Sequence, residues 1–188
     1  MIRARPRVRY LPATVSGAFA LAFLLGAAPA DLPGWDQARW GMTTEELGKT
    51  FGPRLRKLSP GLQYKDSIGA AVINPVWLGS ARFAVVFQVD ERSRRLVQVL
   101  LTFNAGTPPF GSYAQARQAL EGTLGPPGRS ERKTDYSSDI PWFRVVDRWT
   151  FPTTTVVLTY FEPDFEDTSW NKSLTVRYFP TRPNEPAK

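Results

Sequence analysis

One structural phrase occurs twice along this chain, and that repetition constrains its fold more than any other feature. The first occurrence opens with Trp40-Gly41-Met42-Thr43-Thr44-Glu45-Glu46-Leu47. Thr43 and Glu46 have the spacing of a capping box, in which a hydroxyl accepts from the third helical amide and the carboxylate reaches back. Leu47 and Phe51 lie four apart, on one face of a helix. Gly52-Pro53 then stops it, with glycine at the left-handed cap and proline beyond. The second occurrence opens with Phe110-Gly111-Ser112-Tyr113-Ala114-Gln115, where Ser112 and Gln115 repeat the spacing. Tyr113, Ala116, Leu120 and Leu124 form one helical face, and Gly125-Pro126 ends it. The spacing predicts helices over residues 44–51 and 113–124.

Alternating segments follow each helix. Residues 70–77 read as a strand that Pro75 interrupts, which favours an edge position. Phe83, Val85, Phe87 and Val89 alternate with more polar neighbours, as do Val97, Val99, Leu101 and Phe103. After the second helix come residues 142–151, then Val156, Leu158 and Tyr160, then Leu174, Val176 and Tyr178. Period-two alternation marks strands with one buried face. The fold expected is α+β: two helix-plus-antiparallel-strand halves, three strands in each, forming one sheet with the helices packed on one face. Residues 31–104 make the first half, 105–109 a Pro-Pro linker, 110–180 the second half and 181–188 a loose tail.

Residues 1–30 read as an export signal. Arg3, Arg5, Arg7 and Arg9 precede an uncharged apolar run, and Ala28-Pro29-Ala30 supplies a small–x–small cleavage pattern. The apolar run is shorter than the roughly twenty residues that span a bilayer. The protein is therefore expected to be periplasmic or secreted, starting near Asp31, with no stable membrane anchor once the signal is cut. Four of the 24 Lys and Arg lie in that segment and none of the 17 acids does, which leaves residues 31–188 with a net charge of +3. No basic run stands out, so a nucleic-acid partner is not expected.

Cysteine and histidine are both absent. The fold must hold by packing without disulfides. Ser-His-Asp and Cys-His catalysis cannot be built, nor can the usual zinc and copper sites. No metal and no cofactor are expected.

The paired helix-then-strands pattern, each helix closed by Gly-Pro, resembles the β-lactamase inhibitor protein fold. The opening Trp40-Gly41-Met42-Thr43-Thr44-Glu45-Glu46 is similar to the WGM(S/T)xEE start of many small bacterial exported proteins, and small outer-membrane assembly lipoproteins share one such half. The resemblance implies a two-part sheet with a binding surface. It departs in cysteine content: the inhibitor's halves are disulfide-bonded and the lipoproteins carry an anchoring cysteine. No inhibitory activity and no contact residue are carried over.

The chemistry-bearing candidates are few. Glu162-Pro163-Asp164-Phe165-Glu166-Asp167 bunches carboxylates, but without the spacing of a calcium loop. Trp142, Phe165 and Trp170 fall outside the strand periods, so they are the candidate binding residues, since exposed aromatics in loops mark interface hot spots. The function expected is an exported, non-enzymatic module that binds an envelope protein or peptide. The alternatives are a small-ligand or carbohydrate binder that uses an aromatic pocket, and a hydrolase that uses paired carboxylates.

Overall fold

The computed structural model describes residues 30–137, 141–163 and 172–182. The expected signal, apart from Ala30, lies outside the described residues, as do Phe165, Trp170 and most of the expected tail.

The fold is α+β and dominated by antiparallel sheet. A small ribbon comes first, β1 (Gly34–Trp35) against β2 (Ala38–Arg39). Helix α1 (Thr44–Phe51) and a 3₁₀ turn (Gly52–Arg54) lead into β3 (Arg56–Gln63), β4 (Ser67–Leu78), β5 (Ala81–Asp90) and β6 (Leu96–Phe103). Helix α2 (Phe110–Leu124) leads into β7 (Arg129–Asp135), β8 (Trp142–Thr150), β9 (Thr154–Pro163) and β10 (Ser173–Pro180). The eight long strands form one sheet in the order β3-β4-β5-β6-β10-β9-β8-β7. Six of its seven pairings join sequence neighbours; the seventh, β6 with β10, runs from Val99↔Tyr178 to Thr102↔Thr175.

The capping box at α1 is complete. Thr43 Oγ1 accepts from the Glu46 amide at 3.2 Å, and the Thr43 amide donates to Glu46 Oε2 at 2.7 Å. Those hydrogen bonds from Thr43 favour the ionised form and hold the Glu46 carboxyl below its ordinary range. Gly52 and Gly125 end the two helices at φ of 55° and 78°, a region that favours glycine. The second capping box does not form. Helix α2 begins three residues earlier than its pattern suggests, after Pro109, and no side chain caps it. Ser112 already sits inside the first turn, with its amide bonded to the Pro109 carbonyl.

Four strands follow each helix, not three. The additional ones, β3 and β7, are the sheet edges and are almost wholly exposed, so they carry no apolar alternation. Strand β4 is consequently internal, contrary to expectation. Its pairing with β3 stops at Val72, and Pro75 lies beyond, where the β4–β5 register shifts between Ile73 and Val76. Proline is tolerated there because no ladder bond is asked of it. A shift at Gln88/Val89 likewise turns Leu96, rather than Val97, into the core.

One buried cluster gathers Leu47 and Phe51 of α1, the four apolar residues of the α2 face and the alternate residues of the inner strands. Trp35, Phe51 and Phe87 form its aromatic centre under β4–β6, with ring centroids 5.3–6.0 Å apart. Under β8–β10 the cluster continues through Val145, Trp149, Val156, Leu158, Tyr160, Leu174, Val176 and Tyr178. Each such side chain, once buried, contributes about 1.5–3 kcal/mol. Trp149 Nε1 donates to the Gly125 carbonyl at 2.8 Å, tying the end of α2 to the sheet.

Candidate functional site

Side chains that alternate with the core residues form the second face of the sheet. Register places Val72, Val86, Leu100, Arg177, Val157, Arg148 and Arg129 in one row across seven strands. The row is apolar on β4–β6 and basic on β10, β8 and β7, with Val157 of β9 between Arg177 and Arg148. Two pleats along, a parallel row carries Ser173, Phe161, Arg144 and Lys133. Between them lie Thr159, Val146 and Glu131. The sequence shows no basic run, yet the structure assembles one: Arg129, Arg144, Arg148 and Arg177 line a shallow groove of about 270 Å³, together with Glu131, Val146, Val157 and Thr159.

The cations of this face differ in what holds them. Arg129 pairs with Glu131. Lys133 Nζ and the Arg144 guanidinium lie 5.4 Å and 5.5 Å from the centre of the Trp142 ring, a distance at which the ring's negative face attracts a cation. Arg148 and Arg177 have no carboxylate partner among the described residues. Desolvation against the sheet, and then the nearby charge of Arg148, hold the pKa of Arg177 below the usual guanidinium value. Two guanidinium groups thus repel each other over the apolar floor of Val157, which is buried.

Of the three candidate aromatics, only Trp142 is described. It is not in a loop. It opens β8, pairs with Asp135 and Pro163, and lies half-buried on the second face beside Phe161, 6.2 Å between ring centroids. Sequence reasoning missed the arginines because they come from three strands, and one of those strands had no recognisable pattern. The available signal was parity: Arg129 and Lys133 on β7, Arg144 and Arg148 on β8, and Arg177 on β10 all point away from the core. Three exposed aromatics were also missed, Trp77 near the end of β4, Phe110 at the start of α2 and Tyr136 after β7.

A second polar cluster sits on the core side. Asp147 is 1% exposed. It accepts from Tyr113 Oη and from Ser130 Oγ, both at 2.5 Å, and Arg117 Nε approaches to 3.3 Å. Burial, then the bond to Asp147, push the Tyr113 hydroxyl far above its ordinary pKa. Ser130-Glu131-Arg132-Lys133 has the Ser-x-x-Lys spacing of some acyl-transfer sites. On a strand, positions three apart face opposite ways, so Ser130 joins Asp147 while Lys133 lies on Trp142. Glu162, the first residue of the acidic stretch, accepts from Lys172 and, at 2.6 Å, from Tyr160 Oη. The Lys172 bond, then the Tyr160 bond, keep its carboxyl below the usual range. Asp164, Glu166 and Asp167 lie outside the described residues. Among the described residues no helix is long and apolar enough to cross a membrane, and no three acidic side chains are grouped around a metal-sized space.

Comparison with known proteins finds no family model, no curated protein and no solved structure that matches this chain.

Proposed function

We propose that this chain is an exported, non-enzymatic binding module, and that it holds an acidic segment of an envelope protein or peptide against the second face of β7–β10. The observation that carries this reading is the pair Arg148 and Arg177, two like charges lining one groove and without carboxylate partners among the described residues. Guanidinium groups in that state gain most from an arriving carboxylate, because binding removes repulsion as well as making charge-assisted hydrogen bonds. The sheet edges favour a face over an added strand as the docking mode. Strand β7 is rich in charge and β3 contains Pro60, both of which discourage edge pairing.

In the same reading, residues 31–104 and 110–180 are two copies of one helix-plus-antiparallel-strand unit, linked by 105–109, with both helices on one face. What supports it is the shared order of a helix followed by a four-strand meander, and the merging of the units through the last strand of each. This is also the arrangement that the resemblance to the β-lactamase inhibitor protein fold implies.

A stacking site for sugars is less favoured, because the Trp142 ring is already engaged by Lys133, Arg144 and Phe161. Carboxylate chemistry is less favoured, because Glu46, Asp147 and Glu162 are each tied by hydrogen bonds to their own neighbours. The test is expression of the full chain, fractionation, and crosslinking in the envelope. The recovered protein should begin at or near Asp31. Wild type and an Arg56→Glu control should crosslink one envelope protein that the Arg148→Glu/Arg177→Glu double variant, equally folded, does not. Recovery of the chain in the cytoplasm with Met1 intact, or equal crosslinking by the double variant, overturns the proposal.

A further inference from the structure

We infer that the acidic segment is read by spacing: an extended Asp/Glu–x–Asp/Glu, with one carboxylate on Arg148 and the other on Arg177. This rests on the reading that the second face of β7–β10 is the binding surface. Arg148 and Arg177 stand on either side of Val157, so their backbones are two strand spacings apart, about 10 Å. In an extended chain, residues i and i+2 point the same way and lie about 7 Å apart. The residual few ångströms are well within reach of two arginine stems. Adjacent acids, at i and i+1, point to opposite sides and can offer the face only one carboxylate.

The floor fits the same occupant. Val157 and Val146 provide a flat apolar strip for the methylenes of the ligand between the two charges. Glu131 repels a third carboxylate placed toward β7, and it already neutralises Arg129. Lys133 and Arg144 are engaged by the Trp142 ring, which leaves Arg148 and Arg177 as the groove arginines with neither an acid nor a ring against them among the described residues. Two separated single charges, not one dense dianion, match anchor points at this distance. A bidentate carboxylate on each guanidinium is the geometry that arginine favours over lysine.

The experiment uses protein recovered from cells expressing the full chain, at low ionic strength because exposed charges are screened by salt. Labelled ten-residue peptides rich in Thr carry Glu-Thr-Glu, Glu-Glu or a single Glu, and fluorescence anisotropy reads their binding. Inorganic pyrophosphate and a short oligothymidine serve as competitors. The Glu-Thr-Glu peptide should bind about tenfold more tightly than either other peptide, and Arg148→Gln or Arg177→Gln should each abolish that tenfold advantage. The Arg56→Gln control should retain it. If Glu-Glu and Glu-Thr-Glu peptides bind alike, yet both need the two arginines, the spacing inference is wrong and the binding surface stands. If no peptide binds, or binding ignores both arginines, the surface itself is wrong. If pyrophosphate or oligothymidine displaces the peptide at lower concentration than unlabelled Glu-Thr-Glu peptide does, the site takes phosphate-type anions and the inference falls.

Discussion

The β4–β6 side and the β7–β10 side of the sheet have closely similar inner faces and opposed outer ones. Inward, Phe83, Val85 and Phe87 are matched by Val156, Leu158 and Tyr160, all buried. Outward, a single row runs Val72, Val86, Leu100 on one side and Arg177, Arg148, Arg129 on the other. Part of the apolar side is covered by its own chain. Tyr64 and Leu62 lie against Gly69 beside Val86, and a Cβ at Gly69 would fall 2.8 Å from Val86 Cγ1. The basic side has no such cover among the described residues and opens as a groove. Core packing therefore tolerates two quite different surfaces on one scaffold.

The sides also differ in what holds a helix to the sheet. Under β4–β6 it is aromatic packing, so Phe87→Ala should cost about 3–5 kcal/mol by urea unfolding, with little dependence on pH. Under β8–β10 a buried carboxylate joins α2 to β7 and β8. Asp147→Ala leaves the Tyr113 and Ser130 hydroxyls without their acceptor, removes the carboxylate beside Arg117, and should cost about 3 kcal/mol. Asp147→Asn, which keeps an acceptor oxygen, should cost less. Equal loss in the two Asp147 variants would show that volume, not hydrogen bonding, matters there.

The helix starts sharpen the contrast. Thr43→Ala should destabilise by about 1 kcal/mol, whereas Ser112→Ala should be nearly silent because Ser112 caps nothing. Equal effects in thermal unfolding would contradict the difference between the two ends. A smaller effect concerns acid. Because Lys172 and Tyr160 hold the Glu162 carboxyl below its unfolded value, its contribution is present above about pH 4.3 and is lost as pH falls through the folded value. Glu162→Gln should flatten that acid limb, and an unchanged limb would place the titration elsewhere. The smallest change in stability belongs to the Arg148–Arg177 pair. Arg148→Gln should shift stability by under about 0.5 kcal/mol, toward a gain, since it relieves repulsion of Arg177. A large loss in unfolding would make Arg148 structural.

Much of the inner face was legible from alternation alone. Residues 83–89, 156–160 and 174–178 announce strands because one neighbour in two is apolar and buried. The α1 cap was legible because both partners of its box lie three positions apart in sequence. The edges were not legible: Arg129-Ser130-Glu131-Arg132-Lys133-Thr134-Asp135 has water on nearly all its positions, so burial writes no pattern into it. Trp142 opens the strand expected over 142–151, but its cation partners on the neighbouring strand and on β8 itself are invisible without a register. The arginine row failed for the same reason. Arg129, Arg148 and Arg177 are 19 and 29 positions apart in the chain, and only strand pairing makes them neighbours.

The single long-range pairing has a kinetic consequence. Every sheet contact except β6 with β10 closes between consecutive strands, but that seam spans some seventy residues and needs the last strand of the chain. Loop-closure entropy makes such a contact slow relative to hairpins. Until residues 173–180 arrive, the two meanders can form only as separate sheets with raw inner edges. The sheet is therefore closed from its middle by β10, and a chain not yet extended to that strand cannot complete it. Folding rates of Val99→Ala and Val176→Ala variants, compared with Val145→Ala away from the seam, read directly whether closing the middle sets the pace.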